Sequence, residues 1–425
     1  MSQFSIPEYK TIKSIPFQLP AAEMLNNKIP LFFLASNGPE IMDLNVLIRH
    51  SNLPVSGMLE AGATAAQLRE GTTNRKRKLI YDKLDFYGVR YSVSVQADFT
   101  LVSAIFLSKY AEEVLSLLSD MLINPVFPEK SLDLYKKRAI ERVKVSKQKV
   151  EYHAGKISRK CLFGTKHIYG FTAEEKDISR LRRKQLIDFH KKQYHAGNIS
   201  IFLASNGIPR AESLLGKFFS TLPVVKQSDC KTDLIFHPAD EKNHYHKMEN
   251  PFQSSIALVK HIAERDSEDY NPLSLLTSIL GGYFGARLMK NLREEKGFTY
   301  GIYSTLRSYA NANYFSLRTE VAAQHTDAAY NEIIKEILKL RTSLVSIEEL
   351  QLVRNYLMGS LMRSIDGPNK ILKRMIHMQV LGQDKASFQR FIESVHQTTP
   401  EQLMTLAEKY FDPDSFYHIV AGSKT

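Results

Sequence analysis

The sequence predicts an α+β protein of two homologous halves, each of about 210 residues and each an antiparallel-rich sheet with helices packed on it. Three observations carry this. At 425 residues the chain exceeds what one hydrophobic core comfortably serves. Its strand patterns fall in hairpin order rather than in strict alternation with helices, and the order of elements repeats once.

In the first half, period-2 alternation predicts strands near Ile29–Leu34, Tyr91–Val95, Phe99–Leu107 and Ile199–Ala204. Period-3.6 patterning predicts helices near Arg75–Tyr87, Ala111–Leu122 and Leu132–Lys149. The second half offers strands near Ser254–Lys260, Tyr300–Arg307 and Asn313–Glu320. Its helices fall near Pro272–Leu280, Arg287–Lys296, Thr326–Leu340 and Ile347–Ser364. The repeat can be aligned directly. Gly88 to Val93 (GVRYSV) sits against Gly297 to Ile302 (GFTYGI), 209 positions on. Leu132 to Leu134 sits against Leu350 to Leu352, and Leu186 to Ser205, ending IFLAS, against Leu403 to Gly422, ending HIVAG. Matched elements in one order at nearly constant offset indicate duplication of a domain-sized unit. The polar, proline-containing stretch between them divides the chain into residues 1–222, a linker 223–243, and residues 244–425.

Composition narrows the function classes. Hydrophobic residues at 43% and charged residues at 24% exclude wholesale disorder and fibrous repeats. Two cysteines, Cys161 and Cys230, make neither a disulfide framework nor a clustered-thiol zinc site, which fits a reducing compartment. The first residues lack a basic segment followed by an apolar stretch of secretory length, and no run reaches membrane-spanning length, so a cytoplasmic protein is expected. The net charge of +12 is concentrated: residues 75–184 hold 24 Lys+Arg against 13 Asp+Glu. That excess is either a solvated face or a surface for an acidic partner. No zinc finger or aromatic-interleaved RNA signature points to nucleic acid.

The densest constellation runs from Gly281 to Tyr300, a glycine turn, a short charged helix and a strand. It lacks the lysine-hydroxyl pair of a phosphate loop. With Gly297 as a left-handed cap between them, Arg293 near the helix end and Tyr300 just inside the strand can face one cleft. A guanidinium and a phenol would there offer donors to a carbonyl oxygen gaining negative charge. The alternative is an Arg paired with a neighbouring Glu and a Tyr packed on the sheet. His244 and His246 share one face of an extended segment, but two imidazoles do not make a metal site.

This stretch resembles the C-terminal signature of the zinc metallopeptidases that include insulinase, pitrilysin and the mitochondrial processing peptidase, especially the small two-domain members. The similarity runs through Gly71-Thr72 to Arg75, the Gly88–Leu107 hairpin, Asn124 to Pro128, Leu162 to Gly170 and Gly281 to Tyr300. The resemblance implies the half-shell fold of that family. Active members carry an inverted His-x-x-Glu-His zinc motif upstream of the Gly-Thr signature, and a glutamate further on. Here the matching positions are Gly62, Ala65 and Ala66, with Arg142 at the third ligand. None can bind a cation, and no His-x-x-Glu-His occurs anywhere in the chain.

The resemblance therefore implies the non-zinc subunit of a heterodimeric peptidase. It would bind no cofactor itself and would contribute Arg293 and Tyr300 to a site whose zinc sits on a homologous partner subunit. Expected partners are that subunit and a peptide substrate, with neither nucleic acid nor membrane, and a homodimer is open to the isolated chain. The alternative implied by the same fold is an inert core subunit in which Arg293 and Tyr300 only hold a hairpin.

Overall fold

A computed structural model describes residues 20, 22–206, 211–225, 235–249 and 252–422. Cys230 and most of the first half of the expected linker lie outside the described residues.

The strands are β1 Ala22–Met24, β2 Pro30–Ala35, β3 Ile41–Arg49, β4 Arg90–Val95, β5 Phe99–Leu107, β6 Ile199–Ser205, β7 Asn243–Lys247, β8 Gln253–His261, β9 Ile302–Tyr309, β10 Ala312–Ala322 and β11 Tyr417–Gly422. The helices of the first half are α1 Gly57–Gln67, α2 Arg77–Phe86, α3 Ala111–Ile123, α4 Glu129–Ser146, α5 Val150–Phe163, α6 Glu175–Ser179, α7 Arg183–Gln193 and α8 Ala211–Phe219. Those of the second are α9 Tyr270–Gly281, α10 Thr326–Thr342, α11 Ile347–Arg363, α12 Pro368–Val380, α13 Lys385–Gln397 and α14 Pro400–Tyr410, with a π-helix at Met289–Glu295.

The duplication is plain in the topology. The first sheet runs β1-β2-β6-β3-β5-β4 and the second β7-β11-β8-β10-β9. Apart from the added β1, the two orders are the same, with one parallel pair (β2/β6, β7/β11) and antiparallel neighbours elsewhere. The aligned glycines also match. Gly88 and Gly297 both hold positive φ, 61° and 65°, the left-handed geometry that reverses the chain between a helix and an edge strand. Since β7 begins at Asn243, the last residue assigned to the linker belongs to that strand. The linker's described second part is not free: Ala239 N–H donates to Cys161 O, and Phe236 packs on Phe163.

Each half buries one face of its sheet under its own helices. In the first, Leu44, Val46 and Ile48 of β3 meet Val114, Leu117 and Leu118 of α3; in the second, Ile256 and Leu258 of β8 meet Leu273, Leu276 and Ile333. The other faces are covered by exchange. Helix α5 of the first half lays Ala154, Cys161 and Phe163 on Ala257, Val259 and Ile419 of the second sheet. Helix α12 of the second half lays Leu372, Met375 and Ile376 on Leu47, Phe202 and Ala204 of the first. Full burial of such side chains contributes about 1.5–3 kcal/mol each, so the exchange locks the halves together.

A polar clamp joins the two hairpins. Asp98, in the β4–β5 turn, accepts from Tyr169 Oη at 2.5 Å and from Ala310 N–H, in the β9–β10 turn, at 3.0 Å. Among the described residues, no helix is long and apolar enough to cross a membrane.

Candidate functional site

The positions matching the lost metal motif do come together. Gly62, Ala65 and Ala66 lie along one face of α1, and Arg142 reaches the same cleft from α4. The cleft measures about 410 Å³ and is walled on its third side by Tyr91 to Val95 of the edge strand β4.

Its chemistry is unsuited to a metal. Small side chains at 62, 65 and 66 have no donor atom, and Arg142 adds positive charge where zinc needs a ligand. Space is tight as well: a Cβ at position 62 would lie 3.3 Å from Tyr135 Oη, so a side chain there requires the phenol of α4 to give way slightly. The carboxylate of Glu70, the one acid among the lining residues, is already engaged by Arg77 Nε at 2.9 Å, Ser131 Oγ at 2.9 Å and Tyr81 Oη at 3.0 Å. Among the described residues no group of three metal-ligating side chains exists. Zinc chemistry on this chain does not fit the residues present.

What lines the cleft instead is basic and amidic. Arg69, Arg77, Arg138 and Arg142 face it, so part of the charge excess of residues 75–184 converges on this concavity. Sequence reasoning missed Gln67, the last residue of α1. It is 1% exposed, lines the cleft, and leaves both its amide oxygen and nitrogen without a partner among the described residues. Nothing in a lone glutamine marks it; its position one residue past the lost motif is the signal that could have found it.

The Gly71–Arg75 signature turns out to be a structural clamp. Asp120 of α3, 5% exposed, accepts from Thr72 Oγ1 at 2.5 Å, Asn74 Nδ2 at 2.6 Å, Arg75 at 2.6 Å and Asn124 Nδ2 at 3.0 Å. Burial opposes its charge, but hydrogen bonds from Thr72, Asn124, Arg75 and Asn74 prevail and hold the carboxyl below its ordinary range.

Arg293 and Tyr300 occupy a different surface, and neither lines that cleft. The helix expected over Arg287–Lys296 is a π-helix from Met289, anchored by Asn291, which donates to Glu332 at 2.8 Å and Glu336 at 2.9 Å. Just before it, Arg287 makes a two-point pair with Glu349 at 2.9 and 2.7 Å. The wider turn carries Arg293 out over the exposed ring of Phe284, with 4.6 Å from guanidinium carbon to ring centroid.

Tyr300 does not begin the strand as expected, because β9 starts at Ile302. It stands two residues earlier, 92% exposed, and makes no hydrogen bond to any described residue. Its backbone is nevertheless pinned: Thr299 Oγ1 lies 2.7 Å from Glu320 O and accepts from Gly301 N–H at 3.1 Å. Glu320 in turn has its pKa pushed up to about 7, by burial first and then by the adjacent Glu151 carboxyl of α5.

The paired histidines go to different partners. His246 lies 4.2 Å from the ring of His153, and His244 bonds the carbonyl of Glu241 at 2.9 Å.

Comparison with known proteins agrees with this geometry. Residues 180–357 match the family described as the peptidase M16 inactive domain. A Bacillus subtilis protein named uncharacterized zinc protease YmxG is 20% identical over 355 residues, 83% of this chain and 86% of its own. The non-peptidase homolog YmxG of Helicobacter pylori is 21% identical over 301 residues, covering 70% and 68%. Among solved structures, the peptidase M16 inactive domain from Pseudomonas fluorescens superposes with a TM-score of 0.82 at 24% identity, over 95% of this chain and 98% of that one. The two-half sheet-and-helix shell is the fold of that inactive-domain structure. Over residues 180–357 the chain is thus similar to the non-catalytic domain of the M16 peptidases, and its relatives over most of its length carry zinc-protease and non-peptidase names.

Proposed function

We propose that this chain is the non-zinc subunit of a heterodimeric metallopeptidase, and that it presents Arg293 and Tyr300 to the substrate carbonyl opposite the zinc-bearing partner. The observation that carries the reading is the state of Tyr300: a phenol almost wholly exposed on a backbone pinned by Thr299, unpartnered among the described residues. Tyr hydroxyls that serve packing are normally buried and satisfied.

In such an assembly the metal and the water it activates belong to the partner subunit. This chain's share is to bind and orient. An unfolded peptide adds as a strand at a sheet edge. The Tyr300 hydroxyl and the Arg293 guanidinium then donate to the carbonyl oxygen as it gains charge, with Phe284 supporting the guanidinium plane. The four arginines of the first-half cleft favour acidic or neutral peptide segments over strongly basic ones.

A second reading, an inert core subunit, is supported by the absence of both Arg293 and Tyr300 from the lining of the cleft of the same chain. Peptide cleavage separates the two. The isolated chain should cleave nothing and hold no stoichiometric zinc. Mixed with the zinc-bearing partner it should give chelator-sensitive cleavage faster than the partner alone. Equal rates with and without this chain would leave the inert role standing.

A further inference from the structure

Away from both regions, a cavity of about 310 Å³ opens in the second half, where α11, α12 and α13 meet β9 and the segment entering α9. Its ionisable lining includes Arg265, Arg374 and His377 and no carboxylate.

Asp98, outside the lining, partly offsets the charge of Arg265, and a second guanidinium beside it is costly unless something offsets that one too. Arg374, on α12, makes no hydrogen bond or ion pair with any described residue. It lies 5.4 Å from the ring centroid of Phe388, and its Nε–H is buried without an acceptor. Burial holds its pKa below the ordinary arginine value. Arg265 is fixed in place, donating to the carbonyl oxygens of Leu381 and Tyr309, and to Asn313 Oδ1. Those acceptors are neutral, and its Nε–H is likewise buried and unmatched. Desolvation and the charges of Arg374 and Arg265 hold the His377 imidazole, at the exposed mouth, below its usual range. Asp384, at the start of α13, is taken by Ser387 and Arg390.

We propose that this cavity binds a small soluble phosphate-bearing anion, gripped by Arg374 and Arg265 with His377 at the mouth. The guanidinium fork of Arg374 matches phosphoryl oxygens two at a time, and Arg265, whose terminal nitrogens already donate to the protein, adds its charge and one remaining N–H. A fixed cation, a second free to turn onto the ligand, and an imidazole that protonates on binding suit a dianion better than a single carboxylate. The volume sits at the small end of metabolite pockets. Helix α12 also carries Leu372, Met375 and Ile376 onto the first half's sheet, so an anion on Arg374 tightens the element that ties the halves together.

Calorimetric titration of the full chain with inorganic pyrophosphate and with glycerol phosphate tests this. Saturable binding is expected, with a raised melting temperature and an upward shift of the His377 titration midpoint followed by NMR. Arg374→Gln should weaken binding at least tenfold while leaving the circular dichroism spectrum unchanged. Ser360→Leu, which fills the cavity and keeps every charge, should do the same. Absence of saturation at millimolar anion, or equal affinity in both folded variants, overturns the proposal. So does binding to phosphatidate vesicles without binding to the soluble phosphates.

Discussion

The two halves share a strand order and a left-handed glycine at the same place, yet use the following tyrosine in opposite ways. Tyr91, aligned with Tyr300, lies within β4 with its hydroxyl buried, and burial pushes its pKa up. Tyr300 stands outside β9 in solvent. The helices that lead into these strands differ in step. In the first half α2 is a regular α-helix over Arg77–Phe86; its counterpart 209 positions on is the π-helix Met289–Glu295, which sets Arg293 over the ring of Phe284. One scaffold thus buries a tyrosine hydroxyl in one copy and exposes it in the other. Backbone geometry and core packing keep the fold, while a few surface-facing positions decide the chemistry.

The contrast can be broken by substitution. The largest effect on stability is expected at the first half's clamp. Asp120→Asn leaves Arg75 without its carboxylate and should cost about 3 kcal/mol in urea unfolding. The same group sets an acid limit. Its folded pKa lies below the unfolded value, so its contribution is complete above the unfolded pKa and is lost as pH falls through the folded one. Melting temperature should therefore drop more steeply below pH 4 in the wild type than in Asp120→Asn.

Next comes the filled metal position. Gly62→His must displace Tyr135, and should destabilise by about 1–3 kcal/mol without conferring zinc in metal analysis. Pairing it with Tyr135→Ala should recover the stability lost to crowding and still yield no zinc, since Arg142 remains.

The smallest effect lies beside Tyr300. Glu320 has a folded pKa raised to about 7, so the folded state holds a proton that the unfolded chain releases above its own lower value. Stability should fall as pH rises from about 5 to 8 through this pair. Glu320→Gln should raise the melting temperature at pH 8 and leave it nearly unchanged at pH 5.

The duplication and the hairpins were legible because alternation, cap glycines and spacing are written locally. Strand β5 shows it best: Phe99–Leu107 alternates without a break, one face buried. The central strand β3 was not legible. Seven of its nine residues are buried, because α3 covers one face and α12 the other, so period-2 alternation vanishes. Helices α5 and α12 escaped for a related reason. Their partners lie in the opposite half, and no local pattern announces an exchange across more than a hundred residues. That Gly62 of α1 lies beside Tyr135 of α4 was not legible, since the two helices meet only in the fold. Arg293 and Tyr300 were located, whereas the π-turn and the two-residue delay before β9 required the backbone.

The most direct test of the central claim is the rate of peptide cleavage by the complex of this chain with its zinc-bearing partner when the chain carries Tyr300→Phe, set against Tyr91→Phe. The shared-site account expects Tyr300→Phe to lose at least tenfold in kcat/KM with assembly intact, within the range of about 10²–10³ seen for lost oxyanion donors, and Tyr91→Phe to lose little. Unchanged cleavage by both Tyr300→Phe and Arg293→Ala complexes would contradict it.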